Sequence, residues 1–130
     1  MIILDSSIII AMFRNNEKHH GDAVAIWKSG SDFLLFDYVL SEVLTVLKIR
    51  EGHDVADRCA DFLTNNLKIF IEQIDEIQLS KAVSFFRDVK NNLSFVDTVL
   101  LLQSKERAVP LATFDRELAK YINKNNGDDR

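Results

Sequence analysis

A chain of 130 residues that is 47% hydrophobic, with four glycines and one proline, suits one compact domain with a real core and leaves little for linkers. Its formal charge of −4 excludes attachment to nucleic acid or anionic membrane by bulk charge alone, but not a nucleic-acid enzyme whose acids are gathered in its active site. The single cysteine, Cys59, excludes an intrachain disulfide or a thiolate zinc cluster and fits a small buried hydrophobe in a reducing cytoplasm.

Residues 1–5 carry no basic n-region and meet a carboxylate too early for a signal peptide. No stretch reaches the ~20 apolar residues of a membrane span, so a soluble, cytoplasmic protein with no membrane association is expected. Ile2–Leu4 predicts a first strand ending at Asp5, and residues 8–13 predict a short helix with Ser6 and Ser7 available as caps. A helix over 19–29 precedes a second strand, Phe33–Phe36, which ends at Asp37. Residues 38–51 place Val39, Val43, Val46 and Leu40, Leu44, Leu47 on one broad stripe, and Gly52 after Lys48 and Arg50 supplies a C-terminal stop.

A helix over 54–65, a third strand over 68–71, helices over 76–90 and 94–106, a fourth strand over 109–113 and a helix over 115–123 complete the series. Residues 1–122 form the expected domain, and the polar tail 123–130 is expected to fray. Three of the strands are apolar at consecutive positions, which suits a parallel sheet covered by helices on both faces.

In such a sheet, ligand chemistry gathers outside the carboxyl ends of the strands. Asp5 follows the first strand there, and Asp115 follows the last, in Ala112-Thr-Phe-Asp115. Asp97 sits in the first turn of a helix apolar nearly all round at Phe95, Val96 and Val99 to Leu102. Glu42 falls at the edge of its helix's apolar stripe, roughly 110° from the centre.

Taken singly, each acid has a structural explanation. Ser94-x-x-Asp97 matches a capping box, Asp115 suits an N-cap, Asp5 suits a turn, and Glu42 can pair with Lys48. Converging on one pocket, the four would repel one another and raise one another's pKa values. A divalent cation relieves that conflict, and oxygen-only ligation suits Mg²⁺ or Mn²⁺ better than Zn²⁺.

The remaining polar and aromatic residues add less. Arg14, Lys18, Arg87, Lys90 and Arg116 are candidates for flanking phosphates, although a charge run usually marks a solvated face. His19, His20 and His53 show no triad or metal spacing and read as solvated surface, whereas Trp27, Phe85 and Phe86 read as core. Position 7 is Ser where a haloacid-dehalogenase phosphatase needs Asp, Asp5 lacks the acidic neighbour of a receiver domain, and no Gly-rich nucleotide loop is present.

Ile3-Leu-Asp-Ser-Ser7, Ser41-Glu-Val-Leu44, Phe95-Val-Asp-Thr-Val99 and Thr113-Phe-Asp115 resemble the four motifs of PIN-domain ribonucleases, and the length and order resemble the VapC-type toxins of toxin–antitoxin pairs. The resemblance covers residues 1 to about 122 and implies a three-layer α/β/α sandwich with a short, mostly parallel central sheet. It further implies Mg²⁺- or Mn²⁺-dependent hydrolysis of RNA by a metal-activated water, a metal held by Asp5, Asp97 and Asp115, and Glu42 completing the shell or orienting the water. Ser7 and Thr113 would orient the neighbouring carboxylates by hydrogen bonds. A small antitoxin and a homodimer are the implied partners. No further acid follows the third motif, so the number of metal ions stays open. A silent RNA- or protein-binding module and a non-toxic RNA-maturation nuclease are the alternatives.

Overall fold

In the computed structural model, which describes the backbone of residues 1–128 and the side chains of residues 1–123, the core is set by four short apolar strands. They are β1 (Ile2–Leu4), β2 (Phe33–Phe36), β3 (Ile69–Glu72) and β4 (Leu111–Ala112), in the order β3-β2-β1-β4 with every pairing parallel. Parallel strands need long crossovers, and helices supply them. They are α1 (Ser6–Phe13), α2 (His20–Trp27), α3 (Asp37–Glu51), α4 (His53–Thr64), α5 (Glu76–Asp88), α6 (Phe95–Arg107) and α7 (Arg116–Asp128). Helices α1 to α4 pack among themselves, as do α5 to α7, which gives a three-layer α/β/α arrangement.

The strand order has a functional consequence. After β1 the chain builds outward through β2 to β3, then returns to the other flank of β1 to add β4. The order reverses beside β1, and a crevice opens where neighbouring connections depart to opposite sides. The carboxyl ends of β1 and β4 flank that crevice.

β2 is buried along its whole length, as its unbroken apolar run requires. β3 lies one residue later than expected and is an edge strand, with Phe70 and Ile71 exposed. β4 is shorter than the expected 109–113. Pro110 has no N–H to give to a ladder, although its carbonyl accepts from Ile3 N at 2.8 Å, and the Thr113 hydroxyl bonds to Asp5.

Helix ends follow local chemistry. Gly52 adopts φ 94° between α3 and α4, a value that an L side chain rarely takes, and its N–H caps the Lys48 carbonyl at 3.1 Å. Asp75 and Gln78 form a complete capping box on α5. Cys59 is fully buried, and that burial pushes its thiol up to about 12, so it acts as an inert core group. Phe86 departs from the core expectation: α5 leaves it 47% exposed, touching Phe95 edge-on at 5.5 Å. The backbone of α7 runs to Asp128, and the side chains of 124–130, which make up most of the expected tail, lie outside the described residues.

Arg107 ties the far end of the sheet together. Its guanidinium reaches Glu72 at 2.7 Å, lies over the Phe36 ring at 5.3 Å, and its Nε donates to buried Gln103 at 3.0 Å. Leu35, at the centre of β2, is fully enclosed. Leu35→Ala is therefore expected to cost about 2–5 kcal/mol, read as a lower urea midpoint at unchanged m-value; a loss under about 1 kcal/mol would contradict this packing.

Candidate active site

Asp5 ends β1 and is 4% exposed. A carboxylate so placed needs donors, and the chain provides two: Ser7 Oγ donates to Oδ2 at 2.8 Å and Thr113 Oγ1 donates to the same oxygen at 2.6 Å. The hydroxyls are themselves held, because Phe114 N donates to Ser7 Oγ and Asp115 N to Thr113 Oγ1, each at 3.0 Å. Asp5 N donates to the Ala112 carbonyl at 3.1 Å, so β1, α1 and the end of β4 are locked around one side chain. Both hydroxyl donors fall on Oδ2, and among the described residues Oδ1 has no side-chain donor.

Asp115 is the N-cap of α7, with Oδ1 accepting from Leu118 N at 3.1 Å. Asp97 occupies the first turn of α6. Only half of the expected capping box forms: Ser94 Oγ accepts from Asp97 N at 3.1 Å, and no reciprocal bond reaches Ser94 N among the described residues, so the Asp97 carboxylate is not consumed by the cap. Burial pushes Asp97 up from 3.8 to about 6, the charges of Asp5 and Asp115 add to this, the Ser94 hydroxyl opposes it, and Glu42 contributes a smaller push.

Like Asp115, Glu42, on the second turn of α3, is exposed. Its carboxyl is raised by partial loss of water and by the charge of Asp5, against a hydrogen bond from Ser6. The expected pairing with Lys48 does not occur, and none of the ion pairs among the described residues involves any of the four acids.

Three features escaped the sequence. Tyr38 buries its hydroxyl with no hydrogen-bond partner among the described residues. Burial above all, then the charges of Asp5, Asp97, Asp37 and Glu42, holds the phenol well above its ordinary range, so it remains a neutral O–H donor facing the acids. Its only sequence signal was its place at the strand–helix junction. His19 stacks on Phe114 with centroids 4.4 Å apart and planes 12° from parallel, and His20 Nδ1 lies 2.7 Å from the Ala11 carbonyl, so neither is free surface. Arg14 is tied to Glu51 at 2.7 Å and is not available as a loose phosphate ligand.

Among the described residues, no three acidic, His or Cys side chains stand close enough to enclose a metal ion by themselves. The donor set nevertheless fits Mg²⁺ or Mn²⁺ in kind. All four groups are carboxylates, Glu42 and Asp97 are raised first by burial and then by the charge of Asp5, and Mg²⁺ characteristically uses one or two carboxylates, several waters and substrate phosphate in place of a complete protein cage.

The fold is a parallel α/β/α domain whose strand order reverses beside β1, and the charges of Asp5, Asp115 and Glu42 bear on Asp97. The PIN domain family matches residues 2–124, and the chain belongs to that family. No curated protein matches the sequence. Among solved structures, the chain is similar to the VapC20 toxin of Mycobacterium tuberculosis, described as cleaving the sarcin-ricin loop, with a TM-score of 0.83 and 22% identity over 93% of this chain and 95% of that one. It is also similar to FitAcB from Neisseria gonorrhoeae, with a TM-score of 0.67 and 17% identity over 91% of this chain and 90% of that one. Among the described residues no helix is long and apolar enough to cross a membrane.

The raised Asp97 pKa has a definite sign. Between its ordinary value of 3.8 and about 6, the unfolded chain releases the proton before the folded protein does, so stability present at low pH is lost as pH rises through about 6. In chelator, Asp97→Asn is expected to stabilise the fold by about 1–3 kcal/mol at pH 7.5 and by almost nothing near pH 3.5. Thermal melts across this range check it, and a gain equal at both ends would refute the assignment.

Proposed function

We propose that the protein is a Mg²⁺- or Mn²⁺-dependent endoribonuclease, the toxin component of a type II toxin–antitoxin pair. The observation that supports the proposal is that the charges of Asp5, Asp115 and Glu42 all bear on Asp97 in a PIN domain, with no ion pair to any of the four among the described residues. The likeness to a toxin described as cleaving the sarcin-ricin loop supports RNA as the polymer. A small antitoxin and a second copy of the chain are the partners that the family resemblance adds, and the cytoplasm is the compartment.

Asp5, Asp97 and Asp115 would hold the cation. When bound, it supplies Lewis-acid stabilisation of the phosphoryl oxygens and leaving group and a water acidic enough to attack in line. The side chains do the rest. Ser7 and Thr113 fix the Asp5 rotamer through Oδ2 and leave Oδ1 for the ligand. Asp115 keeps one oxygen on Leu118 N, which fixes its orientation. Glu42, exposed on α3, would complete the shell or orient the attacking water.

Asp5→Asn is expected to abolish Mg²⁺-dependent cleavage of RNA by the purified protein, as is excess chelator, while circular dichroism keeps the folded spectrum. Undiminished cleavage by Asp97→Asn would refute the site. Tyr38→Phe removes a buried O–H that has no partner among the described residues and is expected to raise stability by about 1–3 kcal/mol, read as a higher melting temperature; an unchanged or lower melting temperature would contradict that burial. Controlled expression beside Asp5→Asn, with mapping of new RNA 5′ ends, separates toxin from binding module: growth arrest and discrete cuts only with the wild type mark the toxin.

A further inference from the structure

Ser6, Ser7, Glu17, His19, Arg50 and Phe114 line a half-open cavity of about 220 Å³. It adjoins Asp5 through Ser7, which lines it. The Ser7 hydroxyl that donates to Asp5 accepts from Phe114 N, and Phe114 lies between Thr113, which holds Asp5, and Asp115. A polymer with a phosphodiester over the acids therefore has an adjoining residue over this cavity.

The lining has the chemistry of a nucleotide. His19 and Phe114 form a parallel aromatic pair that a base can extend by stacking, a contact open to any π-face. Arg50 is exposed near the end of α3. Its sequence neighbour Glu51 is engaged by Arg14, and Arg50 takes part in none of the ion pairs among the described residues, so its guanidinium can meet a phosphate. Glu17 is likewise outside those pairs and offers a carboxylate that accepts hydrogen bonds from base N–H groups. In a chain of net charge −4, such a local site supplies purchase on RNA that bulk charge does not.

We propose that this cavity is the subsite for a nucleotide flanking the cut: the base stacks on the His19–Phe114 pair, Arg50 holds its phosphate, and Glu17 selects guanine. Guanine is the RNA base with two adjacent N–H donors on its Watson–Crick edge, N1–H and N2–H₂, which one carboxylate can accept together. The proposal rests on the ribonuclease reading, but it is tested without metal or catalysis.

The four ribonucleoside 5′-monophosphates are titrated into the full chain in chelator and followed by NMR. GMP is expected to shift the His19 and Phe114 ring resonances with a Kd on the order of 0.1–1 mM. Arg50→Ala and Phe114→Leu should each weaken this about tenfold. The first changes an exposed side chain and the second keeps an apolar group in place, so the fold should survive both. Glu17→Gln should bring GMP to the level of the other three. GMP shifts elsewhere, or affinity unchanged in both Arg50→Ala and Phe114→Leu, would overturn the subsite; equal binding of all four by the wild type would overturn the guanine selection. Specific GMP binding by a protein that cuts no RNA would leave the subsite standing and the nuclease proposal refuted, while RNA cleavage with GMP indifferent to both variants would refute the subsite alone.

Discussion

The architecture depends on a carboxylate kept almost out of water at the carboxyl end of the central strand. Asp5 is 4% exposed, and leaving such a group without donors would cost several kcal/mol. The fold meets that demand with two hydroxyls delivered from separate places, Ser7 from the first turn of α1 and Thr113 from the end of β4. Satisfying Asp5 therefore joins residues more than a hundred positions apart and sets β4 beside β1. The backbone N–H groups of Phe114 and Asp115, which orient those hydroxyls, fix the loop that carries the next acid.

Around that point the structure accumulates like charge. Asp97 and Glu42 are raised first by burial and then by Asp5, and the neutral Tyr38 hydroxyl is buried where the same carboxylates act on it, with no hydrogen-bond partner among the described residues. A domain built for stability alone would place a cation there or replace the acids. Stability comes instead from elsewhere: the enclosed strand β2, the Gly52 turn, the capping box at Asp75, and the Arg107 group that binds Glu72 and Gln103 while covering Phe36. Unrelieved like charge held in place by packing and pairing around it is what a ligand-dependent pocket requires.

The comparison of sequence with structure is informative element by element. β1, β2 and α3 were legible because their apolar patterns are decided locally, by burial on both faces or along one stripe. β3 was legible as a strand but not as an edge, since its apolar run is the same whether or not a neighbour covers it. β4 was overextended, because its ladder with β1 pairs only Leu111 and Ala112, and hydropathy alone does not show where that pairing stops. Phe86, His19 and His20 were misjudged because residue type carries a burial preference while the fold decides what meets it, Phe114 for His19, the Ala11 carbonyl for His20 and solvent for Phe86; His53 is exposed as expected.

The sequence by itself determined the alternation of strands and helices, the placement of an acid after β1 and before α7 and on α3 and α6, and the hydroxyls spaced to accompany them, because each depends on neighbours within a turn or two. Only the tertiary structure decided that these acids share one electrostatic environment, that Tyr38 faces them with its hydroxyl unpartnered, that Arg14 is spent on Glu51 while Arg50 is not, and that His19 and Phe114 stack at the edge of the crevice. Those outcomes follow from the β3-β2-β1-β4 strand order, which brings distant segments to one switch point, and no local pattern encodes which segments will meet there.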